Sequence, residues 1–320
     1  MTKIPVIIDC DPGIDDVMAL LLAFSAENLD IKLITTEPGN QTQDKTIYNA
    51  RAFTSYMKQD IEISRGLDAP FFRVLEVADE VHGESGIGNI ALPEPNLPES
   101  PRTAIDAIKE TLLSSDEPIV LIATGPLTNI GALFLAHPEV KQKIKYISYM
   151  GGAAVGGNMT PTSEFNVYVD PHAAEIVFRS GVPIVMSGLD VTHKAYLTLE
   201  DVQQIEALDS DLAKKIVAML TFYTHKAKRT AFHEEHFERL FRLHDLCAVS
   251  YVITPELFEG DDCHVEVELE SRLTAGTTVV DYTQRTGLPK NVKVLHTVRR
   301  EEFVQHFFEA IKKMDRLIGQ

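Results

Sequence analysis

Residues 5–24, "PVIIDCDPGIDDVMALLLAF", run a short apolar, β-branched segment into an apolar helical pattern through four aspartates, Asp9, Asp11, Asp15 and Asp16. The first segment has the composition of a strand buried on both faces. Pro12 and Gly13 supply a turn. Asp15 and Asp16 then fall in the first turn of the helix, where the macrodipole favours negative charge. Strand, turn and helix in this order open an alternating α/β chain.

The same alternation continues outward. "IKLITT" (31–36), "PIVLIAT" (118–124), "YISYM" (146–150) and "PIVMS" (183–187) read as further buried strands, and helical patterns lie between them. "SPRTAIDAIKETLLSS" (100–115) offers Ser100 as N-cap with Pro101 at the first helical position, and "DPHAAEIVFRSG" (170–181) offers Asp170, Pro171 and a stop at Gly181. After about residue 197 the pattern turns to one long helix over about 198–230 and another over about 245–254. "HVEVELE", "TTVVDY" and "NVKVLHTV" then read as strands before an amphipathic helix from about 300. The expected fold is an open, mostly parallel sheet flanked by helices. With no low-complexity linker, residues 1–320 are expected to form one domain with an elaborated C-terminal third.

Composition narrows the function. A formal charge of −17 over 320 residues argues against a nucleic-acid polymer as partner, because such affinity rests on Lys and Arg neutralising phosphates. Three cysteines without C-x-x-C spacing form neither a disulfide framework nor a zinc site. The opening "MTKIPVIIDC" meets an aspartate too early for a secretory apolar region, and no apolar run approaches a bilayer span. A cytoplasmic protein that does not enter membranes is expected.

The aspartates carry the chemistry. In an open α/β sheet, ligands bind beyond the carboxyl ends of the strands, and the acidic tract begins where the first strand ends. Caps and solvated turns account for one or two of these residues. Four together repel one another and raise their own pKa values unless a cation shares them. Oxygen ligands without neighbouring cysteines or paired histidines favour calcium or magnesium over zinc. The tract is no EF-hand, since twelve positions counted from Asp9 end on Leu20, where a bidentate glutamate is required.

Other readings stay open on the residues alone. Asp9 and Asp11 match the Asp-x-Asp of metal-dependent phosphatases, with Asp9 as nucleophile, although Gly13 weakens that match. "MGGAAVGGN" (150–158) lacks the lysine of a P-loop and reads as a strand-end loop. A non-catalytic binder of sugars or nucleosides is the third reading. Asn40, Thr124, Asn158, Glu164 and Asn166 stand at other predicted strand ends, and together they make a set of carboxylates and amides suited to a polyhydroxyl ligand. His244 and Asp245 precede an apolar helix, where Asp245 serves equally as an N-cap.

These blocks in order, "DCDPGIDD", "GNQT", "ATGPLTNI", "MGG", "GNMTPTSEFNVYVDP" and "HDLCAV", resemble the inosine-uridine nucleoside hydrolases, over nearly the whole chain. "LCAVSYVITPELF" and "TAGTTVVD" look most similar to the broad-specificity ribonucleoside hydrolases of that family. The resemblance implies a homodimer or homotetramer that cleaves purine and pyrimidine ribonucleosides with one bound Ca²⁺. It also implies that the ion is held by Asp11, Asp16, the Thr124 carbonyl and Asp245, and that the ribose is gripped by Asp15, Asn40, Asn158, Glu164 and Asn166. Asp11 is then the base that activates water, and His244 meets the departing nucleobase. Two features depart from the family pattern. Glu37 stands where an apolar residue is expected and adds an acid near the crevice, and the segment "FYTHKAKRTAFHEEHFERLFRL" (222–243) is longer and more charged than expected of a flap. Tyr223, Arg229, Phe232, His233 and His236 form a pool for base recognition, and His82 is either a site or a loop residue.

Overall fold

In the computed structural model, residues 3–227 and 241–319 are described. The strands are β1 (Ile4–Cys10), β2 (Leu29–Thr36), β3 (Ile63–Arg65), β4 (Ile119–Ala123), β5 (Ile144–Met150), β6 (Ile184–Ser187), β7 (Tyr196–Leu197), β8 (Phe241–Arg242), β9 (Phe258–Val267), β10 (Thr278–Asp281) and β11 (Val292–Val298). Among the described residues nine of them form one sheet in the order β10-β9-β11-β6-β5-β4-β1-β2-β3, and β7 pairs with β8 apart from it. Pairing is parallel from β3 through to β11, and β9 and β10 add antiparallel edges. The C-terminal third therefore returns to the sheet.

Helices cover both faces, which is why the central strands are apolar throughout: all five residues of β4 are buried. Period-two alternation along β1 sends Val6, Ile8 and Cys10 to the face carrying the helices Ile14–Ser25, Leu246–Ile253 and Arg300–Ile318. Ile7 goes to the opposite face, against Thr128–Ala136 and Pro171–Phe178. No described helix is long and apolar enough to cross a membrane.

The chain runs from β1 outward to β2 and β3, then returns to place β4 on the other side of β1. That reversal is a topological switch point, and the crevice beyond the carboxyl ends of β1 and β4 is where such sheets bind ligands.

Several expected boundaries move. The helix Ala104–Ser114 is capped by Thr103, whose hydroxyl accepts from Asp106 N, and not by Ser100. Ser100 Oγ instead bonds Glu62 and the Arg102 amide. Asp170 caps as expected, accepting from Ala173 N at 3.0 Å. The long helix expected over 198–230 is two, Leu199–Glu206 and Asp211–Ala227, broken at Asp209, which adopts φ +52. Arg229, Phe232, His233 and His236 lie outside the described residues.

Candidate active site

The four aspartates divide into two tiers by strand alternation. Asp9, still within β1, points toward the face of the helix Thr128–Ala136, where it accepts from Thr35 Oγ1 and from Asn129 Nδ2 at 2.9 Å. Glu37 joins it there: both are buried, and Glu37 Oε2 accepts weakly from Asn129 N at 3.4 Å. Burial first, then the Asp9 charge, pushes Glu37 well above the usual carboxylate range. This acid is therefore a partner of Asp9 under the crevice and does not line the pocket. A buried Asp9 held by a threonine and an asparagine is placed for structure, which weighs against the nucleophile of a phosphatase.

The upper tier lies beyond the strand ends. Asp11 Oδ2 accepts from the backbone amide of Asn40 at 2.6 Å. Side chains at positions 39 and 125 would collide with the Asp11 carboxylate, so glycine at both is what lets Asp11 sit between the β2 and β4 loops. Asp16 is the best satisfied of the set, accepting from Gly13 N (2.9 Å), Asn40 Nδ2 (2.8 Å), Thr124 Oγ1 (2.8 Å) and Asp11 N (3.3 Å). Part of its work is thus the capping expected of a first-turn aspartate. Asp245 arrives from the start of the helix Leu246–Ile253, yet its side chain makes no capping bond. It faces Asp15 and Asp16 instead, and one oxygen of each of the three lies within 4.8 Å of the others.

The electrostatics of this corner are severe. Asp11, Asp15, Asp16 and Asp245 are all buried. Burial raises every one of their pKa values, and neighbouring carboxylates add to the rise for Asp11, Asp15 and Asp245, with Asp15 pushed up to about 8. Among the described residues Asp11 Oδ1, Asp15 Oδ1 and Asp245 Oδ2 have no hydrogen-bond partner. Buried polar atoms are almost always paired. Orphaned oxygens on Asp15 and Asp245, grouped with Asp16, and a further one on Asp11 fit a hard divalent cation, which takes six to eight oxygens and supplies the missing charge.

A second wall comes from the β5 loop. Glu164 accepts from Gly152 N (2.8 Å), Asn166 N (3.0 Å) and Val167 N (3.3 Å), so it also caps the short helix Phe165–Val169. Burial lifts it to about 7 while those amides pull the other way. Asn166 Nδ2 bridges the carbonyls of Thr124 (2.8 Å) and Met150 (3.0 Å), tying the β4 and β5 ends together. The Thr124 carbonyl keeps a second lone pair for another partner. Asn158 is the predicted residue that the structure does not draw in: it stands on an exposed loop, its Oδ1 accepting from Phe165 N at 2.9 Å.

Aromatic and imidazole groups close the remaining side. His82 is buried, its Nδ1 accepting from Ile14 N at 3.0 Å and its ring 5.4 Å from that of Tyr223. Burial pushes it down to about 3. His244 Nδ1 lies 2.8 Å from Thr192 Oγ1, with the His193 ring 5.9 Å away. Burial also holds His244 well below the ordinary histidine range. Thr192 and Asn129 escape sequence reasoning, because their partners lie far along the chain. The only signal was their position next to strand-end blocks.

The family model described as inosine-uridine preferring nucleoside hydrolase matches residues 6–305. The pyrimidine-specific ribonucleoside hydrolase RihA of Shewanella sp. (strain MR-7) is 44% identical over 310 residues, 96% of each chain. The protein of the same name from Enterobacter sp. (strain 638) is 43% identical over 311 residues, 96% of this chain and 97% of its own. Among solved structures, a purine-preferring ribonucleoside hydrolase from Gardnerella vaginalis superposes with a TM-score of 0.90 at 30% identity, covering 98% of this chain and 99% of its own.

Proposed function

The chain belongs to the inosine-uridine preferring nucleoside hydrolase family and is a ribonucleoside hydrolase, an N-glycosidase; from that premise we propose that it depends on calcium and prefers pyrimidine ribonucleosides, releasing free base and ribose in nucleoside salvage. The observation that carries the metal is the buried group of Asp15, Asp16 and Asp245 at the switch point, with oxygens of Asp11, Asp15 and Asp245 left without partners among the described residues. Asp11, Asp16, Asp245 and the Thr124 carbonyl would hold it. When bound, the ion neutralises the carboxylates, orients the ribose hydroxyls and lowers the pKa of one water. Support for pyrimidine preference is the name carried by relatives at 43–44% identity. Purine nucleosides, expected as substrates from the sequence, take second place.

The chain's own residues then divide the work. Asp15, Asn40 and Asn166 surround the sugar; both Asn166 amide hydrogens are committed to backbone carbonyls, so Asn166 meets the ribose through its oxygen, while Asn40 gives one amide hydrogen to Asp16 and offers its other hydrogen and its oxygen. Asn158 joins them only from the loop above. Asp11 takes a proton from the attacking water. Glu164 opposes the positive charge that grows on the ribose as the C1′–N bond breaks. His244 meets the departing base. The three buried free cysteines suit a cytoplasmic enzyme, and a homodimer or homotetramer is the assembly we propose with it.

A panel of uridine, cytidine, inosine and adenosine, assayed for reducing sugar with and without a chelator, tests the reading. We expect ribose from the pyrimidine nucleosides first, and its loss on chelation. Silence on all four, or phosphate release from a sugar phosphate, overturns it. Within the same assay, Glu164→Gln keeps the shape and removes the charge, and kcat/KM with uridine is expected to fall about 10²-fold, the scale of one lost transition-state contact. A change under threefold would leave Glu164 as a helix cap.

A further inference from the structure

We propose that Thr192 is a positioning residue that fixes His244 with a proton on Nε2, so that the ring presents a hydrogen-bond donor to the departing nucleobase; the inference rests on the hydrolase reading of this same site. Thr192 ends the short helix Leu189–Thr192 after β6 and is fully buried. Its hydroxyl lies 2.8 Å from His244 Nδ1 and makes no other hydrogen bond among the described residues.

Proton accounting selects the tautomer. A hydroxyl carries one proton, and a neutral imidazole carries one proton and one lone pair. If Nδ1 bore the imidazole proton, it would donate to Oγ1, and the hydrogen of the buried Thr192 would be left without an acceptor among the described residues. If Thr192 donates to Nδ1, both groups are satisfied, and the remaining imidazole proton must sit on Nε2. Buried donors are seldom left unpaired. The second arrangement is therefore the one the structure assigns.

The pairing is built by the backbone as well as by the side chains. β7 pairs with β8 through Tyr196↔Arg242 and Leu197↔Phe241, and Leu243 N donates to Ala195 O at 3.0 Å. This small ladder clamps the segment after Thr192 to the one before His244. His244 is followed directly by Asp245, whose carboxylate belongs to the cluster, so its backbone is fixed beside the site.

As the C1′–N bond breaks, its electron pair passes to the base. Water supplies hydroxide to C1′ and, through Asp11 and solvent, the proton the base finally gains. The Nε2–H group bonds the base atom on which charge grows, and the proton stays on the imidazole. Neutral histidine can act as an electrophile in this way.

The test combines spectroscopy and kinetics on the whole enzyme. Imidazole ¹⁵N shifts, with the His244 signal assigned by its loss in His244→Gln, should show Nε2 protonated and Nδ1 bare in wild type. Thr192→Val should mix the tautomers, and Thr192→Ser should restore the first. With uridine, Thr192→Val should lower kcat about tenfold to a hundredfold at nearly constant KM. With p-nitrophenyl ribofuranoside, whose leaving group departs as a stable anion, the loss should stay under about threefold. A proton on Nδ1 in wild type, or equal losses on both substrates, overturns the proposal. If wild type releases no ribose from any nucleoside, the hydrolase reading falls and the donor loses its role, while the ¹⁵N shifts still decide the tautomer.

Discussion

Replacing Asp11 by alanine is expected to lower kcat with uridine by about 10³–10⁴-fold, or roughly 4–5.5 kcal/mol in activation free energy. The loss combines two functions of one carboxylate: a ligand to the cation and the group that takes a proton from water. The fold should survive. Burial first, then the Asp16 charge, raises the Asp11 pKa well above the usual range, so its charge works against the folded state of the metal-free protein. Removing it relieves repulsion, and the melting temperature of the metal-free variant should equal or exceed that of wild type. Asp11→Asn separates the functions further, since an amide oxygen can still accept from Asn40 N but cannot take a proton from water. Its turnover should fall well over tenfold, but less than that of the alanine variant. Turnover within tenfold of wild type in either variant removes Asp11 from the chemistry. A large fall accompanied by early melting would mean that the carboxylate holds the β1–β2 junction and nothing more.

How much of this site could be read from the chain follows from how local each signal is. Asp11, Asp15 and Asp16 fall within six residues between a strand and a helix, so their convergence was legible. The strands were legible too, because β4 and β6 are buried throughout, β1 over its last five residues and β5 over its last four, which makes their sequences mostly apolar. Boundaries suffered where two local rules compete. Ser100-Pro101 and Thr103 both offer a cap, and the contact of Ser100 with Glu62, 38 residues away, decides for Thr103. β3, with three residues, was too short to show a pattern. Glu37 looked like a pocket acid because strand-end position alone does not tell which face a side chain takes. Its neighbours Asp9 and Asn129 make it part of the lower tier. Asn129 reaches Asp9 across 120 positions and Thr192 reaches His244 across 52. Such pairs exist only after the sheet has formed, and single-residue chemistry gives no hint of them.

Removing divalent ions should destabilise the protein, and more so at high pH than at low. Asp15 binds its proton more tightly in the folded state, with a pKa of about 8 against 3.8 in the unfolded chain. The folded state therefore binds more protons between those values, and its stability declines as pH rises through that window. The stabilising contribution is fully present below the unfolded pKa and gone above the folded one. A bound cation changes the balance by compensating the ionised carboxylates, so the decline should flatten when calcium is present. At a free ion concentration a hundredfold above Kd the gain is about 2.7 kcal/mol, or roughly 4 °C in Tm for a chain of this size. Metal-free protein melted with and without excess calcium chloride, at about pH 5 and at about pH 8, measures both effects. The difference between the two curves should be small at the acidic end, where protons already neutralise the cluster, and largest at the alkaline end. Magnesium, which demands a tighter octahedral shell and gives up its waters reluctantly, should restore less of the stability than calcium. Equal melting with and without the ion at both pH values would mean that the acids of this corner are neutralised by protons alone, and the grip on ribose would then need another source.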